Sequence, residues 1–140
     1  MADSGETLYF GNRIPFLQHI GVHPGEMTPD LVSAKLDFSA SLANNGGHMH
    51  GRSLMSALDF AKSAAARSSD PNELTSSTIE MKTSFIRPAE SSLEIQARCI
   101  HRGRSIAFCD ATARNASGDL VASASGAFKL YRKASQGHAG

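Results

Sequence analysis

Long apolar runs are missing from this 140-residue chain. None approaches the roughly 20 residues of a membrane-spanning helix, and the N-terminus has no signal-peptide apolar segment. No membrane partner is expected, and the expected location is the cytoplasm. Excess charge is missing as well: 14 Lys and Arg stand against 13 Asp and Glu, a formal net charge of +1. That balance creates no field to recruit nucleic acid or an anionic lipid surface. Cysteine is scarce. Cys99 and Cys109 are the only two, too few for a disulfide framework, and their spacing alone does not make them a cross-strand pair. They read as reduced thiols. The six histidines form no metal-ligand pattern, since His48 and His50, two apart, point to opposite sides of an extended segment. No metal is expected. Repeats and linkers are absent, and the length suits one domain over residues 1–140. About 12 residues at the N-terminus and about 8 at the C-terminus are expected to be flexible.

What is present changes period twice. "RIPFLQHIGV" suggests a short helical turn carrying Ile14, Phe16, Leu17 and Ile20 onto something apolar. From Leu31 to Phe38 apolar residues alternate (Val32, Ala34, Leu36, Phe38) with Lys35 and Asp37, the pattern of a half-buried strand. "GRSLMSALDFAKSAAARS", residues 51–68, has no proline and no internal glycine, so it predicts a helix. Apolar residues occupy most of its circumference, as in a helix enclosed by its surroundings. "SSDPNE" ends it. Four strand-like runs follow: "TSSTIEMKTSFIRPA", "SLEIQARCIH", "SIAFCDATARN" and "VASASGAFKLY". Turns at "RGR" and "ASGDL" predict hairpins and an uninterrupted antiparallel meander. The class is α+β, a strongly curved sheet around one long helix. One helix cannot cover every face of such a sheet, so an exposed edge or face is expected to pair with a second copy. At least a homodimer follows, with a homotetramer left open.

One stretch does not read as building material. "NNGGHMHGRSLMSALD", residues 44–59, sets a loop rich in glycine ahead of the apolar helix and puts one carboxylate, Asp59, inside it. Asn44, Gly47, His50-Gly51 and then Asp59 resemble the hotdog-fold acyl-CoA thioesterases, in particular the subgroup typified by the phenylacetate-pathway thioesterase. "TIEMKTSFIRPA" is similar to that family's central strand, and "RGRSIAFCDATARNASGDLVASASGAFKL" to its last two strands. The likeness spans roughly residues 14–131 by order of elements. One position departs from it: Arg52 stands where the family has the second glycine of His-Gly-Gly.

The chemistry of thioester hydrolysis needs an attacking group and a polarised carbonyl. A helix N-terminus offers unpaired N–H groups at the positive end of its dipole, so the Gly51 amide is placed to hydrogen-bond a thioester oxygen as charge develops on it. Asp59, two turns further in, is an acid that attacks as nucleophile or deprotonates a water. The resemblance implies that Asp59 comes from the partner subunit, that Asn44 orients water or the acyl group, and that Thr78 occupies a hydroxyl position assisting the acid. The substrate is then an aryl- or medium-chain acyl-CoA. No cofactor is implied, because coenzyme A is part of the substrate.

Plainer readings stand beside these. Asp59 is otherwise a solvent-facing residue with Lys62 as local partner, and Asn44 a turn residue in the left-handed region, with Asn45 the functional one. His50 shapes the loop or contacts substrate. Arg52 points outward or meets a carboxylate or phosphate of the substrate. Thr78 is otherwise a strand threonine, and Arg87, Arg102 and Arg104 either grip coenzyme A phosphates or are simply solvated. Two other functions share the fold: a non-catalytic acyl-CoA-binding protein, and a hydratase or dehydratase. The latter pairs His with a carboxylate, a pairing not visible in the sequence.

Overall fold

A computed structural model describes residues 7–39 and 43–133. In chain order the elements are β1 (Leu8–Tyr9), β2 (Asn12–Arg13), α1 (Pro15–Ile20), β3 (Val22–Thr28), β4 (Leu31–Leu36), α2 (Gly51–Arg67), β5 (Leu74–Phe85), β6 (Leu93–Arg102), β7 (Ile106–Arg114) and β8 (Leu120–Arg132). Six strands make one antiparallel sheet in the order β3-β4-β6-β7-β8-β5. The sheet curves against α2, which is the α+β hotdog architecture expected from the sequence.

The meander is only partly as expected. β6, β7 and β8 are neighbours joined by tight turns, the second closed by Asn115, whose Oδ1 accepts from the N–H groups of Ser117 and Asp119 at 3.0 Å each. β5 is not beside β6. It pairs with β8 along Leu74–Phe85 and becomes a sheet edge, while β6 pairs with β4. The connection between β5 and β6 contains Pro88, which has no N–H for a ladder and no two-residue turn geometry. β3 was not legible because Pro24 and Gly25 interrupt its alternation. Both are tolerated on an edge strand with a register shift between Pro24 and Met27. Gly25 is required there, since a Cβ would collide with the Ser33 hydroxyl.

Two expectations about the N-terminal third are corrected. Residues 8–13 form a hairpin instead of a free arm: Tyr9 is wholly buried, donates from its hydroxyl to the Val22 carbonyl at 2.8 Å, and meets Phe60 edge-on at 5.5 Å. Burial pushes the Tyr9 phenol up from its ordinary value. The remaining flexible-end expectations, residues 1–6 and 134–140, lie outside the described residues. In α1, Leu17 and Ile20 are buried as expected, but Phe16 is exposed.

α2 begins at Gly51, as its composition predicts, and ends at Arg67. Leu54, Ala57, Leu58, Ala61, Ala64 and Ala65 are buried against the sheet at helical spacing. The alanines let helix and sheet approach closely. Arg102 from β6 closes the far end, donating to the carbonyls of Ala65 and Ala66 at 2.9 Å each and pairing with Asp30 at 2.7 Å. It is thus a helix C-terminal cap, a favourable place for a cation. The helix is not enclosed all round within one chain. Met55, Ser56, Asp59, Phe60 and Ser63 remain only half-buried, and Arg52 is exposed, as one continuous stripe.

Cys99 and Cys109 prove to be direct partners on β6 and β7, both buried and both free thiols. Their spacing could not show this because the β6–β7 register shifts between Cys99 and His101. Burial first, then the neighbouring Cys99, pushes the Cys109 thiol up from its ordinary value.

Candidate functional site

Residues 43–51 arrive at α2 as a self-organised loop. The Asn44 side-chain oxygen accepts from the N–H of Gly46 at 2.9 Å and of His48 at 3.0 Å, and the Asn44 N–H donates to the His48 carbonyl at 2.7 Å. Asn44 is therefore an Asx-type loop organiser. The left-handed backbone position is taken by Gly47, with φ of 79°, not by Asn44. The Met49 N–H ties the loop to the Ala89 carbonyl at 2.9 Å.

His50 is the N-cap residue of α2. It is exposed and makes no side-chain cap bond, while its carbonyl receives the N–H groups of Ser53 and Leu54. Gly51 follows at the first helical position, where N–H groups have no carbonyl one turn earlier to meet. A side chain there would press on the Phe85 ring, since a Cβ would lie 3.3 Å from its tip. Asn44, His48, Gly51, Leu54, Phe85 and Arg87 line a cavity of about 380 Å³ at this end of the helix. Arg87 is held by the backbone, its Nε donating to the Leu120 carbonyl at 3.0 Å, with Asp119 at 3.8 Å from its Nη1. Arg52 is exposed.

The carboxylate belongs to a different part of the helix. Asp59 faces the edge strand β5, and the Thr78 hydroxyl donates to it at 2.9 Å from Oδ1 and 3.2 Å from Oδ2. Thr78 reaches it because β5 carries a register shift between Thr78 and Glu80, which re-aims its side chains. Eight residues of helix separate Gly51 from Asp59, about 12 Å at the α-helical rise. Within one chain the structure thus separates two groups of candidate residues: Asn44, His50, Gly51 and Arg87 at the helix N-terminus, and Asp59 with Thr78 beside β5. Arg104 joins neither. It lies on the exposed β6–β7 turn, next to the end of α2 that Arg102 caps, about 20 Å along the helix from Gly51.

Two participants were not foreseen, and a third is placed differently than expected. Phe85 packs on Gly51. His48 pairs with Glu90, Nε2 to Oε2 at 3.0 Å, across 42 residues of sequence that conceal the pairing. Lys62, named from the sequence only as a local partner of Asp59, is wholly buried and donates to the Ser125 carbonyl at 3.0 Å. A signal for it existed: Lys62 lies four residues after Leu58 and three before Ala65, on the buried stripe. Burial lowers the Lys62 ammonium from its ordinary value, against the opposing pull of Asp59 and, less, Cys109.

Comparison with known proteins gives these features a context. A family model described as the thioesterase superfamily matches residues 46–122, which contain all of these candidate residues except Asn44. A provisionally named esterase of Saccharolobus solfataricus is 30% identical over 115 residues, covering 81% of this chain and 76% of that protein. A conserved protein of Pseudomonas aeruginosa has a solved structure with TM-score 0.80, 28% identity, and coverage of 84% of this chain and 94% of that one. A Streptococcus mutans protein solved with acetyl CoA bound shares the fold at TM-score 0.74 and 19% identity, covering 82% and 92% of the two chains.

Proposed function

Because this chain belongs to the thioesterase superfamily, we propose that it hydrolyses an aryl- or medium-chain acyl-CoA to the free acid and coenzyme A. The observation that carries the reading is the Asp59 carboxylate, held on α2 by the Thr78 hydroxyl. A hydroxyl that donates to both oxygens fixes the orientation of the acid. Asp59 then attacks the thioester carbonyl or takes a proton from an attacking water. The Gly51 N–H stabilises the oxygen of the carbonyl as it becomes negative. Thiolate departs without further help; where Asp59 is the nucleophile, water then cleaves the resulting acyl anhydride to release the acid and restore the carboxylate.

The separation of about 12 Å between Gly51 and Asp59 is too long for both to serve one carbonyl in the same subunit. It supports a shared site, with Gly51 from one subunit of a homodimer and Asp59 from the other. The half-exposed stripe of α2 and the free edge of β5 border Asp59 and are the surfaces such a partner covers. The likeness to the acetyl-CoA-bound Streptococcus mutans protein supports a coenzyme A thioester as substrate class. The similarity to the phenylacetate-pathway subgroup favours an aryl acyl group. In this reading Asn44 shapes the loop that presents Gly51, and Arg52 and Arg87 border the entrance.

The His48–Glu90 pair at the same cavity favours a second reading, a hydratase in which an imidazole backed by a carboxylate moves the proton. One assay separates the two. Free thiol is followed with a panel of saturated, aryl and 2-enoyl CoA thioesters, and the products are identified. Thiol release from an aryl or medium-chain thioester is expected. Hydrated enoyl-CoA without thiol release would contradict hydrolysis.

A further inference from the structure

Two nucleophiles take no part in the hydrolytic reading. Cys99 and Cys109 are the only cysteines of the chain, and both are free. They stand directly opposite each other on β6 and β7, and both belong to the core that α2 covers. The kind of pairing follows from one hydrogen bond. The Cys99 N–H donates to the Asp30 carbonyl at 2.9 Å, so the peptide groups of Cys99 are turned toward the chain entering β4. Toward β7 the two cysteines are therefore a non-hydrogen-bonded pair, the kind with the closer approach, about 4.5 Å between Cα atoms. A disulfide spans Cα separations of about 4.4–6.8 Å, so the two strands are in place to be bridged.

The side chains meet as well. Cys109 hydrogen-bonds to the Cys99 side chain, and the Cys99 thiol donates to the His101 carbonyl at 3.6 Å, in the adjoining register shift. On the other flank β8 sets Gly126 opposite Cys109, a residue with no side chain to crowd the sulfur. Opposed Cβ atoms in such a ladder lie about 4.5–5.5 Å apart, this kind of pair at the short end. A relaxed disulfide holds them at about 3.5–4.5 Å. The bond is thus within reach but drawn tight, the condition of a reducible link and not of a permanent one.

We propose that Cys99 and Cys109 are a modification site: a peroxide oxidises them to an intrachain disulfide that joins β6 to β7, and a thiol reductant reopens it. Cys99 reacts first, being 8% exposed where Cys109 is 1% exposed. Hydrogen peroxide is small and uncharged, as access to so enclosed a thiol requires. The Cys99 sulfur takes a hydroxyl from the peroxide as the O–O bond breaks, and the departing oxygen carries off the thiol proton as water. The Cys109 sulfur then attacks the Cys99 sulfur and breaks its S–O bond. The hydroxyl leaves with the Cys109 proton as a second water. The two thiols lose two electrons and the peroxide gains them. Burial keeps Cys109 protonated, so this second step draws on direct contact between the side chains. Closing a short loop restricts the unfolded chain, which favours the oxidised fold.

The test exposes the folded protein to hydrogen peroxide, removes the excess with catalase, and alkylates the remaining thiols with iodoacetamide in denaturant. Intact mass and peptide maps are read without reductant. Most chains are expected to be unalkylated and lighter by two hydrogens, with one pair of peptides joined through Cys99 and Cys109. Dithiothreitol added before alkylation should restore two alkylated cysteines. Cys109→Ser removes the second thiol, so Cys99 in that variant is expected to stop at the sulfenic acid and be captured by dimedone. Two thiols still alkylated after exposure overturn the proposal, as do unlinked sulfinic acids or a link between two chains. A link that forms only when denaturant accompanies the peroxide overturns it too, because the folded register is then not what joins the sulfurs.

Discussion

At the scale of single residues, the account depends on what surrounds one carboxylate. Thr78 donates to Asp59 and holds it toward β5. A hydrogen bond to a charged group contributes about 1.5–3 kcal/mol, so Thr78→Val should lower kcat by about 10-fold or more while Thr78→Ser retains most of it. Steady-state kinetics on the two variants, beside their melting temperatures, checks this; equal kcat for Val and Ser would remove Thr78 from the site. Asp59 and Gly51 stood out in the sequence as local anomalies, an acid in an apolar helix and a glycine at its start, whereas Thr78 came only from the family resemblance. Lys62 follows the helical spacing of the buried stripe, but its charge masked that signal. Its burial depends on Gly126 and the β8 carbonyls, 63 residues away. Asn44 was found, but its role changed: the loop's own N–H groups occupy its side-chain oxygen.

At the scale of elements, α2 and β5 set the geometry. α2 was readable to within a residue because alanine-rich composition, a glycine entry and Pro71 beyond its end all agree. β4, β6, β7 and β8 were readable from period-two alternation. β3 was not, since an edge strand tolerates the proline and glycine that ordinarily announce a turn. The place of β5 was also missed. Alternation gives a strand its faces but not its neighbours, and only the long path past Pro88 frees β6 to pair with β4. That placement has a functional consequence. Put in the middle of a meander, β5 would have neighbours on both sides; at the edge it brings Thr78 to Asp59 and leaves its outer rim open.

At the scale of the whole molecule, the proposed reading requires two copies of the chain. The exposed Ile79 and Phe85 of β5, with the half-exposed stripe of α2, give a partner apolar surface to cover. Dilution followed by sedimentation and activity should show both falling together, and a fully active monomer would defeat the shared site. The central claim, that Asp59 performs hydrolysis, is tested most directly by kcat and KM of the Asp59→Asn dimer. Asparagine preserves the shape of the side chain and can accept the Thr78 hydrogen bond, but it neither attacks nor takes a proton well. The account predicts kcat lower by about 10²-fold or more, within the range for loss of a positioned base, with KM and melting temperature little changed. An unchanged kcat in a folded Asp59→Asn dimer would contradict it.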